Sequence, residues 1–303
     1  MHPLLAELVS PFERMPEARA AELLAERYGL AFVTVERLET ERDDTFRVHG
    51  DGLDLVLKVA HPGDDPGVID LQLRALRHAA SVDPGLPLQR IVPTSDGELA
   101  VEWQGRTARA FEWMDGALAR GTSPTPRQLQ ASGVMLGRLS LALREFEHPS
   151  ARRELAWDLQ RLPALRELST NPATTEIIDR FEAKVLPALG GLPQQVIHND
   201  FHPGNLLVDP SSDAYVTGIL DFGDTVLSAR VNDLGVALAY LSTGSSPWEA
   251  ARPMIAGYES VVPLLDTERA LLPHLVSARL VQRVLLNAML ERDASENSTL
   301  GGL

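Results

Sequence analysis

Apolar and polar positions alternate differently in the two parts of the chain. Residues 16–28 place apolar side chains at helical spacing, and Gly29 predicts the end of that helix. The sequence Gly50-Asp51-Gly52 predicts a hairpin turn, and residues 68–80 predict a second helix. Apolar runs of strand length are found at residues 32–38, 45–49, 53–59, 91–93, 99–103 and 107–114. The first third of the chain is therefore predicted to be a small antiparallel sheet with one inserted helix.

The remainder of the chain has mostly helical periodicity. The clearest helical patterns cover residues 127–146, 233–241 and 267–290. Short apolar pieces separated by polar loops interrupt these helices at residues 195–198, 205–208 and 216–222. We therefore expect an α+β protein with two lobes. The first, over residues 1–112, is a small antiparallel sheet lobe, and the second, over residues 113–303, is larger and mostly helical.

Composition narrows the class of protein. The 303 residues are 44% hydrophobic and 23% charged, as in a folded globular chain. No apolar run approaches the roughly 18 residues of a membrane span, and the first residues lack a signal-peptide pattern, so we expect neither a membrane protein nor a secreted one. The absence of cysteine excludes disulfides, cysteine-ligated metals and thiol catalysis. A net charge of −14 argues against nucleic-acid and membrane partners and favours a cytoplasmic location.

Lysine is rare in this chain, which draws attention to one position. Of the 28 basic residues only Lys58 and Lys184 are lysines. Lys58 interrupts the apolar run at residues 53–59, and burying an unpaired ammonium group is costly. We therefore expect an anionic group to meet Lys58, although a lysine on an edge strand facing solvent would give the same pattern.

The densest group of polar residues lies in the loops of the second lobe. The sequence His198-Asn199-Asp200-Phe201-His202-Pro203-Gly204-Asn205 follows one apolar piece, and Asp221 ends the next hairpin. Phosphoryl transfer from a nucleotide needs an acceptor beside the attacking hydroxyl and hard oxygen ligands for Mg²⁺. Asp200, Asn205 and Asp221 supply that set. Because Asp and Asn are also ordinary turn residues, the prediction depends on the combination rather than on any one of them.

This pattern resembles the catalytic loop and metal-binding segment of the protein-kinase-like fold, in the form found in aminoglycoside phosphotransferases and choline kinases. The match covers His-x-Asp-x-x-x-x-Asn, with Pro203 and Gly204 inside the loop, and extends to the two-lobed layout. The resemblance implies that Asp200 is the catalytic residue that polarises the substrate hydroxyl. It also implies that Asn205 and Asp221 bind Mg²⁺, and that ATP or GTP is the co-substrate.

The same resemblance assigns a nucleotide site to the first lobe. Lys58 corresponds to the family's third-strand lysine, which contacts the nucleotide phosphates. The glutamate that normally partners this lysine is replaced by Gln72, which can still hydrogen-bond an ammonium group. A glycine-rich loop is absent, so Arg42 or backbone N–H groups are expected to take its place. Glu112 and Met114 lie in a segment that resembles the hinge between the lobes, where backbone atoms bind the base.

Finer matches point to the hydroxylysine kinase group, some of whose domains are fused to aminotransferases. They include Gly218-Ile219-Leu220-Asp221-Phe222-Gly223-Asp224 and Ala256-Gly257-Tyr258-Glu259-Ser260. The acceptor is then a hydroxylated amino acid or amino alcohol, and an aminotransferase is a candidate partner enzyme. An aminoglycoside or choline-type kinase and a nucleotide-binding pseudokinase module remain alternatives.

A small cationic acceptor with its own carboxylate requires both acids and a cation in its pocket. Segments that follow the metal loop or carry the group-level matches supply candidates. The acids are Asp224, Asp158 and Glu259, and the cation is Arg230. A solvent-exposed position is the alternative for each of them.

Overall fold

The structure is a computed structural model that describes residues 12–31, 33–40, 42–50, 52–241 and 247–300. Its small lobe is an antiparallel sheet in the strand order β1-β2-β3-β6-β4, with β5 paired to β6. The strands are β1 (Thr34–Leu38), β2 (Asp44–Gly50), β3 (Leu53–Val59), β4 (Ile91–Val92), β5 (Val101–Trp103) and β6 (Arg106–Glu112).

Two helices accompany this sheet. Helix α1 (Glu17–Tyr28) buries Leu23 and Leu24 with sheet residues such as Phe46, and Gly29 ends it in the left-handed conformation at φ 68°. Helix α2 (Pro66–Val82) begins at Asp65, whose side chain accepts a hydrogen bond from the Gly67 backbone N–H at 2.8 Å. Its apolar face packs into the core of the large lobe, which places α2 beside the junction of the lobes.

The large lobe is mostly helical. Its α-helices are α3 (Pro126–Ala142), α4 (Pro172–Arg180), α5 (Leu186–Leu189), α6 (Val231–Ala239), α7 (Pro247–Glu259) and α8 (Asp266–Leu300). Short strands cross it as β7 (Ala117–Leu118), β8 (Gln194–Ile197), β9 (Leu206–Val208), β10 (Val216–Ile219) and β11 (Val226–Ala229). They pair as β10-β9-β7 and β11-β8. Within the described ranges, no helix is both long and apolar enough to cross a membrane.

The predicted α+β architecture is confirmed, with differences in detail. The helix predicted at residues 127–146 is observed as α3, where Thr125 and Gln128 form a capping box. Helix α7, which contains Pro253, was not predicted from the sequence. The proline-spaced residues before α4 form two 3₁₀ helices, Pro149–Ala151 and Leu159–Leu168.

Helices α3 and α7 cross at unusually short distance, and glycine makes this crossing possible. A Cβ atom at Gly133 would lie 2.0 Å from the Met254 carbonyl oxygen, and one at Gly257 would lie 2.0 Å from the Gln130 oxygen. The crossing also supports the strand that leads to the polar loop, because Gln195 of β8 donates a hydrogen bond to the Ser140 carbonyl of α3 at 2.8 Å. The close contact between α3 and α7 therefore fixes the position of α3, which in turn holds β8 at the start of the polar loop.

We expect Gly133→Ala to destabilise the protein by at least about 1–3 kcal/mol, the usual cost of overpacking a tight site. The added methyl group has backbone rather than a flexible side chain in front of it, so the helices must separate. Thermal and urea unfolding measure the effect. Gly191→Ala is the matched control, since its new methyl group would lie 3.6 Å from the nearest atom. Equal stability of the two variants would contradict the role of the crossing.

Candidate active site

One buried carboxylate accepts hydrogen bonds from the backbone at the start of the loop between β8 and β9. Asp233 of α6 accepts hydrogen bonds from the backbone N–H groups of His198, at 3.1 Å, and Asn199, at 2.6 Å. Asn199 has a φ of 65°, a left-handed conformation that non-glycine residues adopt only when their surroundings impose it. Burial raises the pKa of Asp233, and the nearby His198 and the two N–H donors oppose this rise. Asp233 therefore fixes the backbone just before Asp200.

Asp200 lies in the loop with hydrogen-bond donors on both carboxylate oxygens. Its Oδ1 accepts a hydrogen bond from Arg279 Nη2 at 3.0 Å, and its Oδ2 accepts one from Asn205 Nδ2 at 2.7 Å. His202 Nε2 lies 3.3 Å from Oδ2. Burial alone would raise the pKa of Asp200, but His202, Arg279 and His198 together lower it below the usual value. The carboxylate is thus ionised and fixed in orientation.

Arg279 of α8 is the cation that meets this carboxylate. Its side chain is 1% exposed. Nη1 donates to the Trp157 carbonyl oxygen at 2.9 Å and to Gln282 Oε1 at 3.0 Å, and the guanidinium lies over the Trp157 ring at 4.9 Å. A buried arginine with several fixed partners keeps one geometry, so Arg279 acts as a rigid support for Asp200.

Asp221 is paired with Lys58 from the other lobe. Lys58 Nζ lies 3.2 Å from Asp221 Oδ2, and the Gly223 N–H donates to Oδ1 at 2.9 Å. The positive charge of Lys58 is the main reason that the pKa of Asp221 lies well below its usual range. Asp221 also has a left-handed φ of 60°. The predicted anionic partner of Lys58 is therefore a carboxylate within the chain.

Asn205 and Asp221 present oxygen atoms that suit a magnesium ion. Asn205 uses its Nδ2 to bind Asp200, which leaves the amide oxygen Oδ1 for a ligand. The Leu220 N–H donates to the Asn205 carbonyl at 2.9 Å, which ties the residue before Asp221 to the loop. In the part of the chain that the structure describes, no group of three or more acidic or histidine side chains could hold a metal ion by itself. A hard cation that keeps waters and binds phosphate oxygens fits such a two-ligand set.

Asp224 differs from Asp200 and Asp221 in its contacts. Within the described ranges, its carboxylate has no hydrogen bond or ion pair. Burial and the negative charge of Asp200 raise its pKa to about 7, with a smaller contribution from Asp221, against the opposing charges of Arg153 and Arg279. Arg153 itself donates to the carbonyl oxygens of Gly223 and Thr225, which fixes the turn that carries Asp224. Asp224 is therefore the one of these three carboxylates that has no direct cationic partner among the described residues, although the charge of Arg153 acts on it from nearby.

Three predicted acceptor residues lie outside this cluster. Asp158 is buried and begins a 3₁₀ helix, where it accepts hydrogen bonds from Gln160 and Ser228. Arg230 forms two hydrogen bonds of 2.8 Å to the buried Glu268. Glu259 pairs with Arg269. Arg230 and Glu259 are thus paired with opposite charges and Asp158 is hydrogen-bonded by neutral donors, and none of the three has a hydrogen bond or ion pair to Asp200, Asp221 or Asp224 among the described residues.

Two predicted nucleotide contacts also find other partners. Arg42 Nε donates to Asp64 Oδ1 at 2.8 Å, so this side chain pairs with the loop after β3. Gln72, which could hydrogen-bond Lys58, instead has its Nε2 3.5 Å from the Gly223 carbonyl oxygen. Gln72 and Lys58 still line one cavity. The shorter distance to Asp221 explains why the ammonium group does not turn to Gln72.

The predicted hinge follows the last strand of the small sheet. Glu112 ends β6 with an exposed side chain, and its backbone N–H donates to the Arg90 carbonyl at 2.9 Å. The Trp113 N–H donates to the Asp54 carbonyl, and the Trp113 ring packs against Arg47 at 4.0 Å. Met114 is half-buried. The neighbouring strands thus fix the backbone of this segment.

Sequence reasoning missed the residues that surround Asp200 from α6 and α8. Arg279 carried a usable signal, since it is a charged residue within the apolar helical pattern at residues 267–290, the same argument that identified Lys58. The sequence contains no comparable signal for Tyr240. Its ring stacks on His202 with centroids 4.6 Å apart, and Arg283 lies over it at 4.0 Å. Burial raises the pKa of Tyr240. The charges of Arg279 and Arg283 oppose this rise, and the charge of Asp200 adds to it.

Comparison with known proteins is consistent with this site. The profile described as "Phosphotransferase enzyme family" matches residues 34–272. A zebrafish (Danio rerio) protein named hydroxylysine kinase is 28% identical over 295 residues, covering 90% of this chain and 83% of the relative. A solved microcompartment-associated aminopropanol kinase has a TM-score of 0.71 at 21% identity, covering 91% of this chain and 94% of its own. An amicoumacin kinase in complex with AMP-PNP, Ca²⁺ and Ami has a TM-score of 0.73 at 17% identity, covering 93% of both chains. The two solved kinases confirm the predicted kinase-like fold.

We expect the nucleotide-free protein to lose stability as the pH rises, and Asp224→Asn to reduce that loss. The pKa of Asp224 is raised in the folded state, so its contribution is present at low pH and disappears as the pH rises through about 7. Melting temperatures measured between about pH 5 and about pH 8 should fall less in the variant. Asp213→Asn, on the exposed surface, is the control. Parallel pH profiles for wild type and Asp224→Asn would contradict the assignment.

Proposed function

The chain belongs to the phosphotransferase enzyme family and is a small-molecule kinase, and we propose that it phosphorylates a hydroxyl of an amino acid or amino alcohol such as hydroxylysine. The phosphoryl donor in this proposal is ATP or GTP. The observation that carries the proposal is the Asp224 carboxylate beside Asp200, which has no hydrogen bond or ion pair among the described residues; burial and the charge of Asp200 raise the pKa of Asp224.

The acceptor is proposed from the charge of the cluster. A substrate hydroxyl must reach Asp200, and an ammonium group on the adjacent carbon would then approach Asp224. An ammonium group would give the Asp224 carboxylate the direct cationic partner that it lacks among the described residues, whereas a neutral alcohol would not. Two related proteins are named for substrates that combine a hydroxyl and an amine, hydroxylysine and aminopropanol, and this agrees with the proposed class.

In the proposed reaction, the fixed Asp200 orients the acceptor hydroxyl. The hydroxyl oxygen forms a bond to the γ-phosphorus, the bond from that phosphorus to the β,γ-bridging oxygen breaks, and the hydroxyl proton passes to Asp200. The lowered pKa keeps this carboxylate ionised and ready to accept the hydrogen bond. Phosphoryl transfer needs positioning more than a strong base, so a weakly basic carboxylate is sufficient.

We assign the nucleotide to the cleft between the lobes. Residues 1–112 would bind it, and residues 113–303 would carry the catalytic loop and the acceptor. Lys58 is the proposed phosphate contact, because it already reaches across the cleft to Asp221. The backbone at Glu112 and Met114 is the proposed base contact. Arg42 and Gln72 lie outside this contact set unless nucleotide binding releases them from Asp64 and Gly223.

Asn205 and Asp221 would hold Mg²⁺. When bound, the ion would neutralise negative charge on the phosphates during transfer. Lys58 would then exchange its contact with Asp221 for the nucleotide phosphates.

The acidic, cysteine-free composition supports a cytoplasmic location. The candidate partner is an enzyme of amino-group metabolism, such as an aminotransferase.

An acceptor panel tests the proposed function. We expect phosphorylated product from hydroxylysine or a related amino alcohol with kcat/KM above that for choline and aminoglycosides, with ATP and GTP each supplied as donor. Asp200→Asn should lower kcat by about 10² to 10⁴ and leave nucleotide binding intact, because its carboxylate contacts the acceptor rather than the nucleotide. Product from aminoglycosides alone would contradict the acceptor class. Nucleotide binding without transfer to any acceptor would indicate a pseudokinase.

Asp221→Ala tests the metal assignment. We expect loss of the magnesium dependence of nucleotide binding together with loss of turnover, since the variant removes one of two protein ligands. Calorimetric titration of nucleotide with and without Mg²⁺ measures the first effect. Asp209→Ala, at an exposed turn outside the cluster, is the matched control. Full activity of Asp221→Ala at low magnesium would show that the metal binds elsewhere.

A further inference from the structure

Arg283 is a cation beside the acceptor site that the proposed reaction does not use. It lies on α8, with the guanidinium carbon 4.0 Å from the centre of the Tyr240 ring. Tyr240 stacks on His202, which lies 3.3 Å from the Asp200 carboxylate. Arg283 is therefore connected to the Asp200 carboxylate through the stacked rings of Tyr240 and His202. No carboxylate of the described residues pairs with it.

Stacking gives Arg283 a fixed orientation without occupying its hydrogen-bond donors. A guanidinium that lies over an aromatic ring keeps its N–H groups in its own plane, where they can bind a carboxylate through two parallel hydrogen bonds. The side chain is half-buried, so solvent weakens such a pair less than on an open surface. Arg283 thus has the features of a preformed carboxylate site.

The spacing along α8 fits one molecule that reaches both sites. Arg279 contacts Asp200, and Arg283 follows four residues later, which places it about one helical turn, or about 5.4 Å, farther along the same face. A hydroxyl at Asp200 and a carboxylate at Arg283 would then be separated by a few carbon atoms. Hydroxylysine has its hydroxyl and its carboxylate at such a separation.

The other cations near the cluster are already engaged. Arg279 is 1% exposed and bonded to Asp200, Lys58 pairs with Asp221, and Arg153 donates to two backbone carbonyls. Arg230, the cation predicted from the sequence, is paired with Glu268. Arg120 is the remaining rival, because its guanidinium lies beside Gly204 of the catalytic loop.

Building on the proposed function, we infer that Arg283 binds the carboxylate of an amino-acid acceptor and so distinguishes amino acids from simple amino alcohols. Asp224 would bind the ammonium group next to the reacting hydroxyl, and Arg283 the opposite end of the molecule. The acceptor site then takes a zwitterionic amino acid with a hydroxyl on its side chain.

The test compares hydroxylysine with its carboxamide, which keeps the size and removes the negative charge. Steady-state kinetics are measured for wild type, Arg283→Gln and Arg283→Lys, with Arg127→Gln as a control on the exposed surface. We expect Arg283→Gln to raise KM for hydroxylysine by about tenfold to a hundredfold with little change in kcat, and to leave the carboxamide unaffected. Arg283→Lys should recover part of the loss, because it restores the charge without the planar fork.

Several results would overturn the inference. An equal loss for both compounds would show that Arg283 only supports the fold, and the same loss in Arg120→Gln but not in Arg283→Gln would assign the carboxylate to Arg120. Phosphorylation of hydroxylysine that is unaffected by Arg283→Gln overturns this inference and leaves the proposed function in place. If wild type phosphorylates neither compound, both the carboxylate site and the proposed acceptor are overturned.

Discussion

Electrostatic repulsion among three carboxylates is the constraint on which the site depends. Asp200, Asp221 and Asp224 lie close enough for each of the first two to raise the pKa of the third. Buried charges of one sign are tolerated only when cations or fixed dipoles compensate them. Lys58 compensates Asp221 at 3.2 Å and Arg279 compensates Asp200 at 3.0 Å, while Asp224 stays unpaired within the described ranges. A metal ion and a cationic acceptor would relieve the repulsion among these carboxylates and favour the ionised form of Asp224.

The fold brings the compensating cations from distant parts of the chain. Lys58 comes from β3 of the small lobe and Arg279 from the middle of α8, so each ion pair also fixes how larger elements meet. The Lys58–Asp221 pair joins the two lobes, and the buried Arg279 joins α8 to the catalytic loop. Removing Arg279 would leave the largely buried Asp200 carboxylate without compensation, which costs more than the net stabilisation that the pair supplies. Asp221 is 46% exposed, so the loss of Lys58 would cost less. Structure and charge balance therefore depend on the same few contacts.

Most of the fold and the centre of the site could be predicted from local sequence patterns. The strands, the hairpin and the catalytic loop were predictable because apolar spacing and turn residues act over short distances. Lys58 was recognised as an exception within an apolar run. The contacts of Asp158 with Ser228 and of Arg230 with Glu268 could not be predicted, because these partners lie 70 and 38 residues away in the sequence and no local pattern indicates them. Tyr240 and Arg283 escaped notice for the same reason, since only the packing of α6 against α8 brings them to Asp200.

The central claim is that the carboxylate cluster selects a cationic acceptor, and one matched pair of substrates tests it directly. Phosphotransfer to an amino alcohol is compared with transfer to the diol in which a hydroxyl replaces the amine, at saturating nucleotide and magnesium. The account predicts a kcat/KM for the amino alcohol that is higher by about a hundredfold, the range expected for a charge-assisted contact, and a much smaller ratio in Asp224→Asn. Equal kcat/KM values for the amino alcohol and the diol in the wild-type enzyme would contradict it.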